Sequence, residues 1–247
     1  MIAPLTPPLD AFVRMAASAG VLLDVDGTLS HIVERPELAR LVSGTHAVLA
    51  RLVDRYRVVA VISGRTHDQL ERLVDVRGVR LVGSYGLEPG SVPADVISAV
   101  LAVADQVEGS WMETKGATIA VHYRATPDAA SAGRELEQRM GEIADQAEMA
   151  LLSGKHVVEL VPAGFPLKEG AVERIIESDA LHAALYAGDD IADLLAFEAL
   201  DRARANGRLE HVVKVAVHGA ETPEDLVDAA DIVVEGASEM VDLLATL

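Results

Sequence analysis

Two carboxylates close an apolar run at Val21-Leu22-Leu23-Asp24-Val25-Asp26-Gly27-Thr28-Leu29. In extended backbone, residues i and i+2 point the same way, so Asp24 and Asp26 can converge on one reacting group at the end of a strand; the alternative is that they only terminate a buried strand, with Gly27-Thr28 as ordinary turn chemistry. One carboxylate can attack while its neighbour moves protons, and Gly27 lets the chain turn sharply beside them. A second acidic cluster, Gly188-Asp189-Asp190 followed by Asp193, also comes straight after an apolar run, Leu181 to Ala187. Carboxylates at two strand ends suit a hard cation such as Mg2+, which takes oxygen ligands. Asp189 is the expected metal ligand of the second cluster, with Asp190 and Asp193 orienting it or pairing with Lys168. The same residues would also serve as helix caps before Ile191, and the two roles are compatible.

Two further polar positions stand at segment ends. Ser63 and Arg65 follow the apolar run Val58 to Ile62, where a hydroxyl and a guanidinium can hold phosphate oxygens; an N-cap serine beside an exposed arginine is the alternative. Lys168 opens a predicted helix, a position at which the helix dipole disfavours a cation unless an anion lies nearby.

The elements that must position these groups alternate. A helix is predicted near 8–19, then the strand carrying Asp24, a helix from Pro36 to Asp54, the strand Val58 to Ile62, a helix from Thr66 to Leu73 and a strand from Val79 to Gly83. The continuously apolar strands indicate a sheet covered on both faces, and their alternation with helices indicates a right-handed doubly wound parallel sheet. Between Pro89 and Phe165 the rhythm changes. A helix (Ala94 to Val107), paired strands (Trp111 to Lys115 and Ala117 to Arg124), a second helix (Pro127 to Ala147) and a further pair (Ala150 to Leu152 and His156 to Val161) predict an inserted α+β module. Ser153-Gly154-Lys155 is its expected hairpin turn. From Lys168 the first rhythm resumes through strands at Leu181 to Ala187, Val212 to Val217 and Asp231 to Glu235. The division is thus a core of 1–88 and 166–247 with an insertion of 89–165.

In the insertion, Glu113 with Lys115 and His122 with Arg124 share strand faces by i, i+2 geometry, and Glu159 lies on another strand. A solvated face with cross-strand ion pairs, worth about 0.2 to 1 kcal/mol each, accounts for them as well as a binding surface does. Trp111 is expected in the core, with a sugar-stacking platform as the alternative.

The chain has 247 residues, half of them hydrophobic, enough for a sizeable core, and aromatics make up only 3%, so that core must be aliphatic. Its formal charge of −18 repels phosphodiester backbones and anionic lipid, which argues against nucleic-acid and membrane partners. With no cysteine, disulfides, thiolate metal sites and a cysteine nucleophile are excluded. The first residues lack the basic start and apolar stretch of a signal peptide, and a cytoplasmic protein is the expectation.

Taken in order, these motifs resemble those of the haloacid dehalogenase superfamily of phosphatases, and more closely its trehalose-6-phosphate phosphatase branch. The superfamily likeness rests on Asp24 through Leu29, Ser63-Gly64-Arg65, Lys168, and Gly188-Asp189-Asp190 through Asp193. The branch likeness rests on Gly83-Ser84-Tyr85-Gly86-Leu87-Glu88, Glu113 with Lys115, His122-Tyr123-Arg124, and Glu159 ahead of Pro162. The resemblance implies a Rossmann-like core with an inserted cap that closes over the cleft and reads the sugar. It implies Asp24 as nucleophile, Asp26 as acid and base, and Ser63 and Lys168 as holders of the phosphoryl group. Mg2+ would be bound by Asp24, the Asp26 carbonyl and Asp189, and the sugar contacted by Glu113, Lys115 and Glu159, with Arg65, Glu88, His122 and Arg124 as further contacts.

The chain departs from the branch where the usual Gly-Asp-Asp-x-Thr-Asp-Glu reads Gly188-Asp189-Asp190-Ile191-Ala192-Asp193-Leu194, and where the usual Asp-Lys-Gly reads Leu167-Lys168-Glu169-Gly170. Hydrolysis of trehalose 6-phosphate is the activity implied. The alternatives are another sugar or glycoside phosphate, or an inactive sugar-phosphate-binding partner of a synthase; coupling to such a synthase is open.

Overall fold

The computed structural model describes residues 7–87 and 90–247. It divides into two compact units, one running to Gly86 and resuming at Pro166–Leu247, the other Leu87–Phe165.

The first unit opens with α1 (Pro7–Arg14), β1 (Ala19–Leu23), α2 (Thr45–Arg55), β2 (Val58–Ile62), α3 (His67–Val74) and β3 (Arg80–Val82). The inserted unit holds α4 (Ala94–Ala104), β4 (Trp111–Thr114), β5 (Ile119–His122), α5 (Ala129–Ala147), β6 (Met149–Gly154) and β7 (Val157–Pro162). The first unit then continues through α6 (Lys168–Ser178), β8 (Ala183–Gly188), α7 (Ile191–Ala205), β9 (His211–His218), α8 (Glu224–Ala229), β10 (Ile232–Glu235) and α9 (Gly236–Leu244).

In the first unit the strand order is β10-β9-β8-β1-β2-β3, and every neighbouring pair is parallel. All five residues of β1, all five of β2 and all six of β8 are buried. The period-2 pleat divides them between two cores. Val21, Leu23, Val59, Val61 and Leu185 pack with Phe12, Leu49, Leu52, Leu70 and Met240 from α1, α2, α3 and α9. On the opposite face, Leu22, Ala60, Ile62, Ala184 and Tyr186 meet Val172, Ile175, Phe197 and Leu200 from α6 and α7. The doubly wound parallel sheet expected from the apolar runs is the one observed. Its central strands β8, β1 and β2 end side by side, which is where such sheets place their ligands.

The inserted unit is a four-stranded antiparallel sheet, β4-β5-β7-β6, with α4 and α5 packed on one face through Val100, Leu136 and Met140 against Ile119, Val121, Val158 and Leu160. The alternate residues, Trp111, Glu113, His122 and Glu159, therefore share the other face. Among the described residues, no helix is long and apolar enough to cross a membrane.

Three local expectations are corrected. The helix predicted from Pro36 to Asp54 is a single 3-10 turn at Pro36–Leu38 followed, after a loop, by α2. Ala39 is extended, Leu41 bridges to Ser30, and Gly44 caps α2 in a left-handed conformation at φ 90°, so the chain is drawn onto the Asp26 loop before the helix starts. The helix predicted near 8–19 ends at Arg14, and after a short 3-10 turn Ala19 already belongs to β1. The hairpin turn lies at Lys155-His156, not Ser153-Gly154-Lys155: both residues have positive φ, 50° and 58°, as a two-residue type I′ turn requires. Gly154 supplied the turn signal in the sequence but closes β6.

Candidate active site

Asp24 leaves β1 with its main-chain N–H still donating to the Ala187 carbonyl of β8 at 2.9 Å, so the sheet fixes where its side chain begins. The loop then folds tightly: the amides of Thr28, Leu29 and Ser30 all donate to the Val25 carbonyl, and Gly27 takes φ 91°. A Cβ built on Gly27 would sit 1.8 Å from Oδ2 of Asp189, so a glycine there is what admits the Asp189 carboxylate. The Thr28 hydroxyl, fully buried, donates to Oδ2 of Asp24 at 3.3 Å.

Lys168 is the first residue of α6 and 2% exposed. Its Nζ donates to Oδ1 of Asp24 at 2.7 Å and to Oδ1 of Asp193 at 2.6 Å, and lies 3.8 Å from Asp190. This resolves the awkward cation at a helix start, since three carboxylates answer it. Burial pushes the ammonium toward neutrality, but the charges of Asp190, Asp193 and Asp24 outweigh burial and hold its pKa well above the usual lysine value.

Asp193 is wholly buried, and both of its oxygens are engaged. Oδ1 accepts from Lys168 and from the Tyr186 hydroxyl at 2.7 Å, and Oδ2 accepts from the main-chain N–H groups of Asp189 at 2.9 Å and Asp190 at 3.0 Å. Asp190 completes a capping box: its Oδ1 accepts from the amides of Ala192 and Asp193 at the start of α7. Tyr186 was not visible as a site residue in the sequence, where it belongs to an apolar run. Burial first, and then the Asp193 charge, push its phenol well above the ordinary value, so it remains a neutral donor. The signal was a lone phenol in an aliphatic strand, since a buried hydroxyl must find an acceptor.

Asp26 turns toward Arg65, which grips it in a bidentate pair: Nε to Oδ2 and Nη2 to Oδ1, both 2.7 Å. The third guanidinium nitrogen, Nη1, donates to the Pro36 carbonyl at 3.0 Å. Arg65 is only 9% exposed, so the exposed-arginine alternative is set aside. Ser63, also buried, accepts from the Arg65 amide at 3.2 Å and so shapes the loop after β2. Thus Asp24, Lys168, Asp190 and Asp193 form one connected network, with Asp189 joined through its main chain, while Asp26, Arg65 and Ser63 form a second one beside it.

Carboxylate oxygens of Asp24, Asp189 and Asp193 all lie within 4.8 Å of one another. An all-oxygen, buried donor set of this kind is capable of holding a divalent cation. Because Asp193 accepts four hydrogen bonds where Asp24 accepts two, Asp24 keeps more lone-pair capacity for a cation than Asp193 does, and the Asp189 carboxylate packed against the Gly27 backbone fits the same use.

On the inserted sheet, Thr118, His122 and Glu159 are buried, Glu113 and Lys115 are partly buried, and the five are bonded to one another. His122 Nε2 and Glu113 Oε2 are 2.9 Å apart, the Thr118 hydroxyl donates to Glu159 Oε1 at 2.6 Å, and Lys115 lies 3.5 Å from the same oxygen and 3.9 Å from Glu113. The structure joins these four predicted residues and adds Thr118, which sequence reasoning missed. Glu159 is 5% exposed and His122 9%, so this is no solvated face. Trp111, expected in the core, stacks on His122 with ring centroids 4.0 Å apart and 4° between planes, on the polar side of the sheet. Arg124 instead donates to the Lys155 carbonyl and ties the strand end to the hairpin turn. Glu88 lies outside the described residues.

A family model described as Trehalose-phosphatase matches residues 22–231, the whole stretch that carries both networks and the inserted sheet. The trehalose-6-phosphate phosphatase of Escherichia coli is 29% identical over 216 residues, covering 80% of this chain and 79% of that one. An uncharacterized glycosyl hydrolase of Mycobacterium tuberculosis is 34% identical over 203 residues, which cover 73% of this chain but only 15% of that much longer protein. Among solved structures, the C-terminal domain of the trehalose-6-phosphate phosphatase from C. albicans superposes with a TM-score of 0.77 at 20% identity, over 97% of this chain and 95% of that one. That last likeness is one of fold: a parallel core sheet with an inserted antiparallel sheet.

Proposed function

The chain belongs to the trehalose-phosphatase family of the haloacid dehalogenase superfamily, and from that premise we propose that it hydrolyses a phosphorylated disaccharide, trehalose 6-phosphate, to the free sugar and orthophosphate. The observation that carries this reading is the meeting of Lys168 with Asp24 and Asp193, at 2.7 and 2.6 Å, from three separate segments of the chain. A buried ammonium against a buried carboxylate at a strand end is what phosphoryl transfer asks for: a fixed nucleophile and a cation to neutralise the transferring group.

In this reading an Asp24 oxygen attacks phosphorus in line with the sugar oxygen. The bond to phosphorus forms as the ester bond breaks, and Asp26 gives its proton to the leaving oxygen. Asp26 then takes a proton from the water that attacks the acyl phosphate; the new phosphorus–oxygen bond releases Asp24 and orthophosphate. The bidentate Arg65 pair holds Asp26 as a carboxylate, the form that takes the proton from water, and in the first step one of the two Arg65 hydrogen bonds gives way to the proton that Asp26 carries. Lys168 and the Ser63 hydroxyl steady the phosphoryl oxygens, and Asp193, fixed by Tyr186, keeps Lys168 aimed. Mg2+ held by Asp24, Asp189 and the Asp26 main-chain carbonyl would supply further charge neutralisation at those oxygens. To the inserted unit we assign the reading of the sugar, through Glu113, Lys115, His122 and Glu159 with Trp111 as an apolar platform; a buried polar set of that kind rejects a sugar lacking its hydroxyls.

The test is phosphate release from trehalose 6-phosphate, glucose 6-phosphate, sucrose 6-phosphate and mannosylglycerate phosphate, each with Mg2+ and with EDTA. The highest specificity constant is expected for trehalose 6-phosphate, with activity lost in EDTA. Release from none of the four overturns the phosphatase reading, and a preference for another member overturns the sugar assignment.

A further inference from the structure

Beside the catalytic loops, and wholly within the first unit, lies a cavity of about 370 Å³ walled by Pro36, Glu37, Arg40, Arg65 and Arg72 among others. Its size falls at the lower end of small-ligand sites. Its charge is the unexpected feature, because three arginines line one hollow in a chain whose formal charge is −18.

These cations are unequally neutralised. Arg65 spends its charge on Asp26. Arg40 is held by two main-chain carbonyls, those of Glu37 at 3.0 Å and Ala39 at 2.7 Å, which orient the guanidinium without cancelling its charge. Arg72, in the last turn of α3, has no hydrogen-bond or ion-pair partner among the described residues. The one acid of the wall, Glu37, lies 3.7 Å from Arg35 on the open surface. Two arginines without a carboxylate partner therefore line the cavity together with the buried Arg65, and the fork geometry of arginine suits oxyanions.

We infer that this cavity is a second binding site, for a small phosphate-bearing anion, and that its occupant is felt at Asp26 through Arg65. The ligand chemistry is a compact dianion, either orthophosphate or the phosphate group of a small metabolite. The site is separate from the network of Asp24, Lys168 and Asp189, because none of those residues lines it. Any anion seated against Arg65 is one guanidinium away from Asp26, since the same group that forms the wall holds both oxygens of that carboxylate. A change in the grip of Arg65 at one end must alter its grip at the other, and the coupling is reciprocal.

The experiment is calorimetric titration of the whole chain in EDTA with orthophosphate and, separately, with glycerol 3-phosphate. Wild type is compared with the double variant Arg40→Gln/Arg72→Gln and with Glu37→Gln; all three positions are exposed, so these variants should fold. The double variant should weaken binding at least about tenfold, as loss of two charge-assisted contacts implies, and Glu37→Gln should tighten it about two- to threefold by removing a like charge. The tighter of the two titrants identifies the source of the phosphate. In parallel, the Arg65 Nε–Hε nuclear magnetic resonance signal, assigned by its loss in Arg65→Lys, should move with the calorimetric dissociation constant in wild type and stay still in the double variant. Isotherms that are the same in all three proteins, or absent, overturn the site. Binding that leaves the Arg65 signal unmoved overturns the coupling. Neither result bears on phosphate release at Asp24, so failure here is distinguishable from failure of the proposed function.

Discussion

Replacing Asp193 with Asn tests whether the network around Lys168 is organised from behind. The side chain is wholly buried and accepts four hydrogen bonds, two at each oxygen, all at 3.0 Å or less. Asparagine keeps the shape but has one acceptor oxygen, so whichever way the amide turns, two donors meet an NH2 group. Each orphaned donor costs about 1 to 3 kcal/mol, and breaking one member of a buried ion pair costs about 3 to 5 kcal/mol. Two features soften this. Lys168 keeps Asp24 at 2.7 Å, and removing one negative charge relieves the crowding of Asp24, Asp189 and Asp190. The expected loss is therefore near the lower limit, about 3 kcal/mol, which for a chain of this size lowers Tm by about 6 to 12 °C. The better amide orientation keeps oxygen toward Lys168 and Tyr186 and turns NH2 against the amides of Asp189 and Asp190, displacing the loop that carries Asp189. The Mg2+ concentration for half-maximal phosphate release should then rise about 10- to 100-fold, as for other groups that orient a metal ligand. Urea unfolding in EDTA reads the first effect and a Mg2+ titration of activity the second. Stability within about 0.5 kcal/mol of wild type together with an unchanged Mg2+ midpoint would refute the reasoning.

A pair of glycine substitutions separates backbone strain from site chemistry. Gly44→Ala, at φ 90° with nothing within 4 Å of the new Cβ, should cost only the left-handed strain of about 1 to 2 kcal/mol. Gly27→Ala, at nearly the same φ but with Asp189 Oδ2 at 1.8 Å, should in addition abolish phosphate release and Mg2+ binding, read by calorimetry. At the far edge of the sheet, Arg80 binds Asp179 at 2.6 and 2.9 Å. Burial raises the Asp179 pKa, but the hydrogen bonds from Arg80 and Ser178 and the Arg80 charge outweigh it, and the net pKa is lowered. A carboxylate depressed in the folded state contributes stability above its unfolded pKa and loses it as pH falls through the folded one. Asp179→Asn should thus be less stable than wild type at pH 7, with the gap closing as the urea midpoints are followed below pH 4; a constant gap would contradict the assignment.

The residues of the site were legible because each stands where an apolar run stops. Asp24, Ser63 and Asp189 follow the ends of β1, β2 and β8, and neighbouring parallel strands must finish on one side of the sheet. Apart from the pairing of Asp190 and Asp193 with Lys168, what the sequence could not show is which distant groups meet. Arg65 looks like an ordinary turn arginine until tertiary packing buries it against Asp26. Tyr186 looks like core until its hydroxyl is traced to Asp193. The failed helix after Pro36 has the same origin: a favourable first-turn proline was overruled by pairing of Leu41 with Ser30, a contact between loops that no local propensity reports. In the inserted sheet the alternation of side chains was readable. The stacking of Trp111 on His122 was not, because a lone tryptophan between Ser110 and Met112 carries no mark of the face it takes.

The central claim is that the Asp24 carboxylate itself takes the phosphoryl group. It is tested most directly by quenching the enzyme with sodium borohydride during turnover of trehalose 6-phosphate with Mg2+, then mapping the peptides by mass spectrometry. Borohydride reduces an acyl phosphate to the alcohol, so the account predicts homoserine at position 24, at no other carboxylate, and none when substrate is omitted. Steady phosphate release with position 24 unreduced, or with the reduced carboxylate elsewhere, would contradict it.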